Sequence, residues 1–261
     1  MPVVRNVVKE KIARGEAVYS FSVRLVRGIE IASIAWSAGY DSIYIDLEHS
    51  TFALDTAGQI CMACLALDVA PFVRVPSLEP HFIARVLDAG ALGIIAPHLH
   101  SAEEARAVVR AAKYPPVGAR SLAGSLPQFR FRSWPAATSA PALNEATTVV
   151  AMIESEAGLA AVEDIAAVDG IDILFIGTND LCADLRVPGD LDHPLVREAY
   201  RRVAAACTVN DKALGVGGLS SRPDLIRHYV EQGARYVSAG TDLSLLLDAA
   251  ASKRKQLAQG T

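Results

Sequence analysis

The sequence predicts an α/β chain closed into a (β/α)8 TIM barrel, and three observations lead there. Short apolar, β-branched runs alternate with longer stretches of helical period, the rhythm of parallel strands joined by crossover helices. Eight such units fit within 261 residues, and α/β barrels reach ~250 residues as one domain, so residues 1–261 read as a single barrel. The first run leads into Ser22-Val23-Arg24-Leu25 without the glycine-rich turn that opens a dinucleotide-binding sheet.

Strands are expected at 17–23, 42–46, 71–75, 93–97, 148–153, 171–176, 213–216 and 236–239. Between them the helical pattern runs near 28–38, 53–68, 80–89, 101–113, 156–167, 193–210 and 221–232, with a last helix near 242–258. The unbroken apolar run at 171–176 suits a sheet covered on both faces. Ser101-Ala-Glu-Glu104 fits a capping box, and Thr241-Asp242 opens the last helix. Cys61 and Cys64 form a CxxC, but they fall on apolar helix positions without a second pair for zinc and read as core. Two segments break the rhythm. Residues 115–146, rich in Pro, Ser and Arg, are expected to form a long loop, functional or mobile. The final helix carries Leu243, Leu245, Leu246 and Leu247, more apolar face than one barrel wall needs, and is expected to pack between subunits.

Composition narrows the function. With 51% apolar and 21% charged residues the chain can build one large core, which excludes disordered and fibrous classes. Its net charge of −4, without basic tracts, argues against nucleic acid as a partner. No apolar run approaches the ~18 residues of a membrane span. Residues 1–16 carry Arg5, Lys9, Glu10, Lys11 and Arg14 rather than the apolar segment of a secretory signal. The four cysteines show no disulfide spacing, so a reducing cytoplasm is expected.

In a barrel the active site lies at the C-terminal ends of the strands. There the sequence delivers Asp46-Leu-Glu-His49, Arg74, Pro97-His98-Leu-His100, Glu154-Ser155 and Gly177-Thr178-Asn179-Asp180. Glu154 and Asp180, hard oxygen ligands from neighbouring strands, fit a divalent cation such as Mg2+, Mn2+ or Co2+, with Zn2+ as a further choice. Each acid alone also fits a helix start, where negative charge is stabilised anyway. The six lysines (Lys9, Lys11, Lys113, Lys212, Lys253, Lys255) all avoid strand C-termini. A Schiff base needs a desolvated amine in the pocket, so carbanion chemistry here is expected to use a metal instead.

Residues 38–49 (AGYDSIYIDLEH), Val73-Arg-Val-Pro76, Lys113-Tyr-Pro-Pro-Val-Gly-Ala-Arg120, Met152-Ile-Glu154 and Phe175-Ile-Gly-Thr-Asn-Asp180-Leu resemble the HpcH/HpaI family of metal-dependent class II pyruvate aldolases. The resemblance covers most of the chain, in order. It implies a hexameric barrel whose metal is held by Glu154 and Asp180 and chelated by pyruvate or a related 2-oxo acid such as hydroxypyruvate. It further implies His49 as the base, acting through a water on the metal, with Asp46 orienting it. Arg74 would stabilise the enolate oxygen, and backbone amides around Gly177 and Thr178 would hold the substrate carboxylate. The implied reaction is reversible aldol addition to an aldehyde, or cleavage of 4-hydroxy-2-oxo acids.

Three departures stand out. Met152 replaces a Gln common in the family, Thr178 and Asn179 replace Pro-Ala and are expected to tune donor choice, and His98 and His100 stand where apolar residues are usual. The two histidines could form an H-x-H metal pair, or be solvated at the rim. Rival readings are a CoA-ester lyase of the citrate-lyase β type, a phosphate-binding isomerase using Gly215-Val-Gly-Gly218 and Ser238-Ala-Gly240, and a non-catalytic 2-oxo-acid-binding barrel.

Overall fold

The computed structural model describes residues 4–258; the ends of the expected domain, 1–3 and 259–261, lie outside the described residues. Eight parallel strands close in chain order: β1 Val18–Val23, β2 Ser42–Asp46, β3 Ala70–Arg74, β4 Gly93–Ala96, β5 Thr148–Ile153, β6 Ile173–Gly177, β7 Ala213–Gly217 and β8 Ala234–Thr241. The barrel expected from the sequence is the one observed, and each strand falls where its apolar run lies.

The two-residue period of a strand divides these residues between two cores. Tyr44, Phe72, Ile95, Val150, Met152, Ile173, Phe175 and Tyr236 fill the barrel interior. Ile43, Ile45, Val73, Ile94, Val149, Leu174, Ile176 and Val216 face outward against the helices. Inside, Phe72 stacks on Tyr236 with ring centroids 5.4 Å apart, while Phe175 meets Tyr44 and Tyr236 edge-on at 6.1 and 5.9 Å. Side-chain-free positions make room for these rings: a Cβ on Gly93 would lie 2.8 Å from Phe72. Two residues further along each strand the same parity points at the barrel mouth. Asp46 follows Tyr44, Arg74 follows Phe72, Glu154 follows Met152 and Gly177 follows Phe175.

The crossover helices are α2 Glu30–Ser37, α3 Leu54–Ala66, α4 Pro80–Asp88, α5 Ala102–Ala112, α10 Pro194–Val209 and α11 Pro223–Glu231, following α1 Val7–Ala13 at the N-terminal end. The helix expected over 156–167 divides into α7 Glu156–Ala160 and α8 Val162–Ala166, and α9 Thr178–Asp184 starts directly from β6. The capping box at α5 is half formed. Ser101 Oγ accepts from the Glu104 N–H at 3.2 Å, but Glu104 reaches back to the His100 N–H rather than to Ser101. Cys61 and Cys64 are buried on α3, as expected of core residues, and burial pushes the Cys64 thiol up to about 12.

One expectation is corrected. The 115–146 segment is not a loop throughout, because Ala136–Ala146 forms helix α6 despite Pro141 within it. Tertiary packing overrides local preference. Leu143 and Ala146 are buried against the barrel, and the Asn144 side chain both accepts from the Tyr114 N–H (2.7 Å) and donates to the Tyr114 carbonyl (3.0 Å). The last helix, α12 Asp242–Ala258, is tied to the barrel by Asp242, whose carboxylate accepts from the N–H groups of Arg24, Leu25 and Val26 at 3.2, 2.9 and 2.8 Å. Beyond that anchor Leu246 and Leu247 are 60% and 63% exposed. Among the described residues no helix is long and apolar enough to cross a membrane.

Candidate active site

A cavity of about 200 Å3 opens at the C-terminal ends of the strands, and the sequence-predicted residues Asp46, His49, Arg74, Gly177, Thr178, Asn179 and Asp180 all line it. Arg74, buried at the end of β3, is the centre of its charged half. Its Nη2 and Nε lie 2.6 and 3.0 Å from the two Asp46 oxygens, a bidentate pair, and its Nη1 lies 2.8 Å from Glu48. Burial opposes the Arg74 charge, yet the neighbouring Tyr44 ring, Asp46 and Glu48 raise its pKa further above the usual value. For Asp46, burial works against ionisation, but the Arg74 hydrogen bonds and charge outweigh it and hold the carboxyl below the usual carboxylate range.

Here a second expectation is corrected. Asp46 does not hold the His49 ring; its Oδ1 accepts the backbone N–H groups of Glu48 and His49, both at 3.1 Å. With both oxygens committed to Arg74, it fixes the turn that carries His49 rather than the imidazole. The His49 ring is half exposed at the rim, with Nε2 3.8 Å from Glu48.

Glu154, at the end of β5, is buried. Its Oε1 accepts from the His98 backbone N–H at 2.7 Å and faces His98 Nδ1 at 3.0 Å. Its Oε2 is buried without a hydrogen-bond partner, lying where a Cβ on Gly177 would come within 2.7 Å. Burial pushes the Glu154 carboxyl up; the His98 N–H and ring partly offset this, while the negative charges of Asp180 and Glu48 add to it. Asp180 sits in the first turn of α9, exposed, and makes no ion pair or hydrogen bond among the described residues. The two acids are thus electrostatic neighbours on adjacent strand ends. A buried carboxylate oxygen without a donor costs about 1–3 kcal/mol, and a divalent cation is a partner that would relieve it. The donor set fits such an ion, although among the described residues no group of three or more His, Cys, Asp or Glu is arranged to hold one; water and a chelating substrate would complete the coordination.

The H-x-H pair is not formed. His98 adopts a left-handed backbone (φ 54°) that turns its ring between Glu154 and Glu48, with Nε2 2.7 Å from Glu48 Oε1, while His100 faces solvent. Thr178 is likewise corrected. Its hydroxyl is buried and shared between Tyr200 Oη (2.7 Å) and the Gly217 carbonyl (2.5 Å), which leaves only its backbone for a ligand. Met152 occupies its place without a polar gap, since the Tyr44 hydroxyl meets its sulfur at 3.9 Å. Glu48 is the residue sequence reasoning passed over, although its position two beyond Asp46 continues the inward parity. Arg24 and Tyr44 also line the cavity.

Arginines 120, 130 and 132, the basic residues a CoA-ester lyase would call on, are at the other end of the barrel. Arg120 pairs with Asp88 at 2.5 Å beneath the Tyr114 ring, and Arg130 and Arg132 flank a groove shared with Arg5 and Asp68. The cavity lining contains no lysine; Lys113 is buried far from it at the end of α5, bonded to carbonyl oxygens.

Comparisons with known proteins agree with this geometry. Residues 28–249 match the family model described as HpcH/HpaI aldolase/citrate lyase. The chain is 37% identical over 249 residues to 4-hydroxy-4-methyl-2-oxoglutarate aldolase tasA of Hapsidospora irregularis, covering 94% of this chain and 92% of that one. It is 33% identical over 251 residues to hydroxypyruvate/pyruvate aldolase of Delftia acidovorans, covering 96% and 91%. The crystal structure of an HpcH/HpaI aldolase from Desulfitobacterium hafniense superposes with a TM-score of 0.88 at 28% identity, covering 95% of each chain. By motif order, barrel geometry and extent of match, this chain belongs to the HpcH/HpaI aldolase/citrate lyase family.

Proposed function

We propose that the protein is a metal-dependent, Schiff-base-free carbon–carbon lyase. It would cleave 4-hydroxy-2-oxo acids to an aldehyde or ketone and pyruvate, or a related 2-oxo acid such as hydroxypyruvate, and run the same addition in reverse. The observation that carries this reading is the unpartnered, buried Glu154 oxygen, an electrostatic neighbour of Asp180, packed against Gly177 just behind the cavity that Asp180, Arg74 and His49 line. The names of the relatives fit it: one is called an aldolase of a hydroxylated 2-oxo diacid, the other of hydroxypyruvate and pyruvate.

Glu154 and Asp180 would hold a divalent cation (Mg2+, Mn2+, Co2+ or Zn2+), which when bound supplies a Lewis acid worth several kcal/mol toward a carbanion α to a ketone. Arg74, pinned by Asp46 and Glu48, keeps a positive charge at the mouth without reorganisation, placed to stabilise an enolate oxygen. His49 takes the proton of the C4 hydroxyl as the C3–C4 bond breaks, and returns one in the addition direction. Asp46 positions His49 through its backbone N–H. Backbone amides from Gly177 to Asn179 receive the substrate carboxylate. The exposed leucines of α12 support assembly as a homo-oligomer, a hexamer by family resemblance, and the cysteine pattern supports a cytoplasmic setting. An intact Asp46, His49 and Arg74 set favours catalysis over mere 2-oxo-acid binding.

The test is exchange of the pyruvate methyl protons with deuterium, followed by proton NMR, which requires no choice of aldehyde. Exchange should depend on added Mn2+ or Mg2+, stop in excess EDTA and return on metal addition. Full exchange in excess EDTA would remove the metal from the reading.

A further inference from the structure

We infer that the sector of the mouth formed by β7, β8 and β1, centred on Arg24, binds a second carboxylate of the substrate, so that the preferred substrates are 4-hydroxy-2-oxo diacids. This rests on the aldolase reading of the opposite sector.

The mouth contains two arginines in very different states. Three nitrogens of Arg74 already face carboxylate oxygens of Asp46 and Glu48 at 2.6–3.0 Å. Arg24 lines the same cavity, half-buried, and its guanidinium makes no ion pair or hydrogen bond among the described residues. Its backbone is nevertheless fixed, because its N–H and the next two donate to Asp242. That acid is therefore spent on main chain and does not neutralise the side chain. Ser22, Ser220 and Ser238 contribute hydroxyls to the same sector, none hydrogen-bonded among the described residues. An unpaired cation carried on a fixed main chain and flanked by free hydroxyl donors in a cleft is a receptor for an oxyanion.

Barrel topology sets the distance class. In the closed eight-strand ring β1 stands four strands from β5, so Arg24 and Glu154 lie across the mouth from one another. A ligand held by its 2-oxo acid end at β5 and β6 points its far end toward Arg24. The cavity is continuous between the two sectors, its lining running from Met152, Gly177 and Asp180 to Arg24 and Ser238, so one small acid can span both. Cleavage of such a diacid balances without any further reagent. The C4 hydroxyl proton leaves to the base, the C3–C4 bond breaks, and C4 becomes the carbonyl carbon of a second oxo acid that departs with the far carboxylate. C3 takes up a proton to give pyruvate.

The experiment compares wild type with Arg24→Gln, both loaded with Mn2+, on two substrates: 4-hydroxy-4-methyl-2-oxoglutarate, and 4-hydroxy-4-methyl-2-oxopentanoate, in which a methyl replaces the far carboxylate. Pyruvate release should show wild type favouring the diacid. The variant should lose about 30-fold in kcat/KM on it, chiefly through KM, and no more than about threefold on the neutral analogue. Calorimetric binding of 2-oxoglutarate and 2-oxopentanoate gives the second readout, with the variant weakened for the first alone. Equal losses on both substrates, or none on either, overturn the anchor while leaving the aldolase reading in place. If neither acid is cleaved by wild type, the aldolase reading fails. The calorimetry then decides the anchor: selective weakening for 2-oxoglutarate supports it, and equal binding sinks it.

Discussion

The two ends of this barrel bury polar side chains for opposite ends. At the floor, buried Asn6 donates to the carbonyls of Leu92 (3.3 Å) and Ala146 (2.7 Å) and to Thr148 Oγ1 (3.1 Å), while its own oxygen accepts from the Val8 N–H. Buried Lys113 donates to the carbonyls of Asn144 and Thr147 at 2.7 and 2.5 Å. These groups close on the main chain and join helices α1 and α6 to the strand starts. Three neighbours depart from that pattern: two Arg120 nitrogens, the Tyr114 hydroxyl and the Gln128 side-chain oxygen are buried without a hydrogen-bond partner, although Arg120 pairs with Asp88. At the mouth, Glu154 Oε2, Asp180 and the hydroxyls around Arg24 are left open. A buried carboxylate oxygen without a donor costs stability, and Glu154 Oε2 stands in that state at the end of the barrel where the chemistry gathers, which marks it as kept for a ligand; the closed Asn6 and Lys113 sets are kept for the fold.

The largest test of that contrast is Glu154→Gln. The amide oxygen can still accept the His98 N–H, so the fold should survive with a change in unfolding free energy of about 1 kcal/mol or less. Loss of the carboxylate charge should abolish tight Mn2+ binding, read by electron paramagnetic resonance, and lower turnover by about 10³-fold or more. Unchanged Mn2+ affinity would show that the open oxygen is a defect of packing rather than a ligand.

Arg74→Gln should act on both properties. It strands Asp46 and Glu48 without their cation, and breaking a buried pair from one side costs about 3–5 kcal/mol. Urea unfolding should therefore shift markedly, and turnover should fall about 10²-fold through kcat. If stability falls alone, with kcat retained in the folded fraction, Arg74 is scaffold for Asp46 and not part of the chemistry.

Much of this was legible in the chain, and the reasons differ by residue. Asp46, Arg74 and Glu154 could be placed because two rules suffice: strand parity sends them inward, and barrel chemistry gathers at strand C-termini. Arg24 obeys the same parity after Ser22, as Glu48 does after Asp46, so both were available to that count. His98 was not. Counting from Ile95 gives it the outward parity, and only the left-handed turn at φ 54° swings it onto Glu154. The Thr178 hydroxyl was misread for a related reason: its partners, Tyr200 and Gly217, come from later elements, and no local pattern announces them. Helix α6 was hidden by Pro141 and by small residues whose burial depends on the barrel wall behind them.

The smallest effect concerns the floor. Burial lowers the Lys113 ammonium from its ordinary 10.5 to about 8, partly offset by the charge of Asp172. Between those two values the unfolded chain holds a proton that the folded chain has released, so unfolding takes up protons and stability rises with pH across that window. Below it the folded protein carries the full penalty of a buried charge; above it the penalty is gone. The gain from about pH 7 to about pH 10 should reach about 2 kcal/mol from this group. Lys113→Met removes the titration and leaves the Asn144 and Thr147 carbonyls without their donor. The difference in unfolding free energy between wild type and variant cancels the contribution of every other titrating group, and it should grow with pH in favour of wild type. A flat difference would mean that the carbonyl cage stabilises the charged ammonium as well as water does. The floor would then be closed electrostatically as well as geometrically.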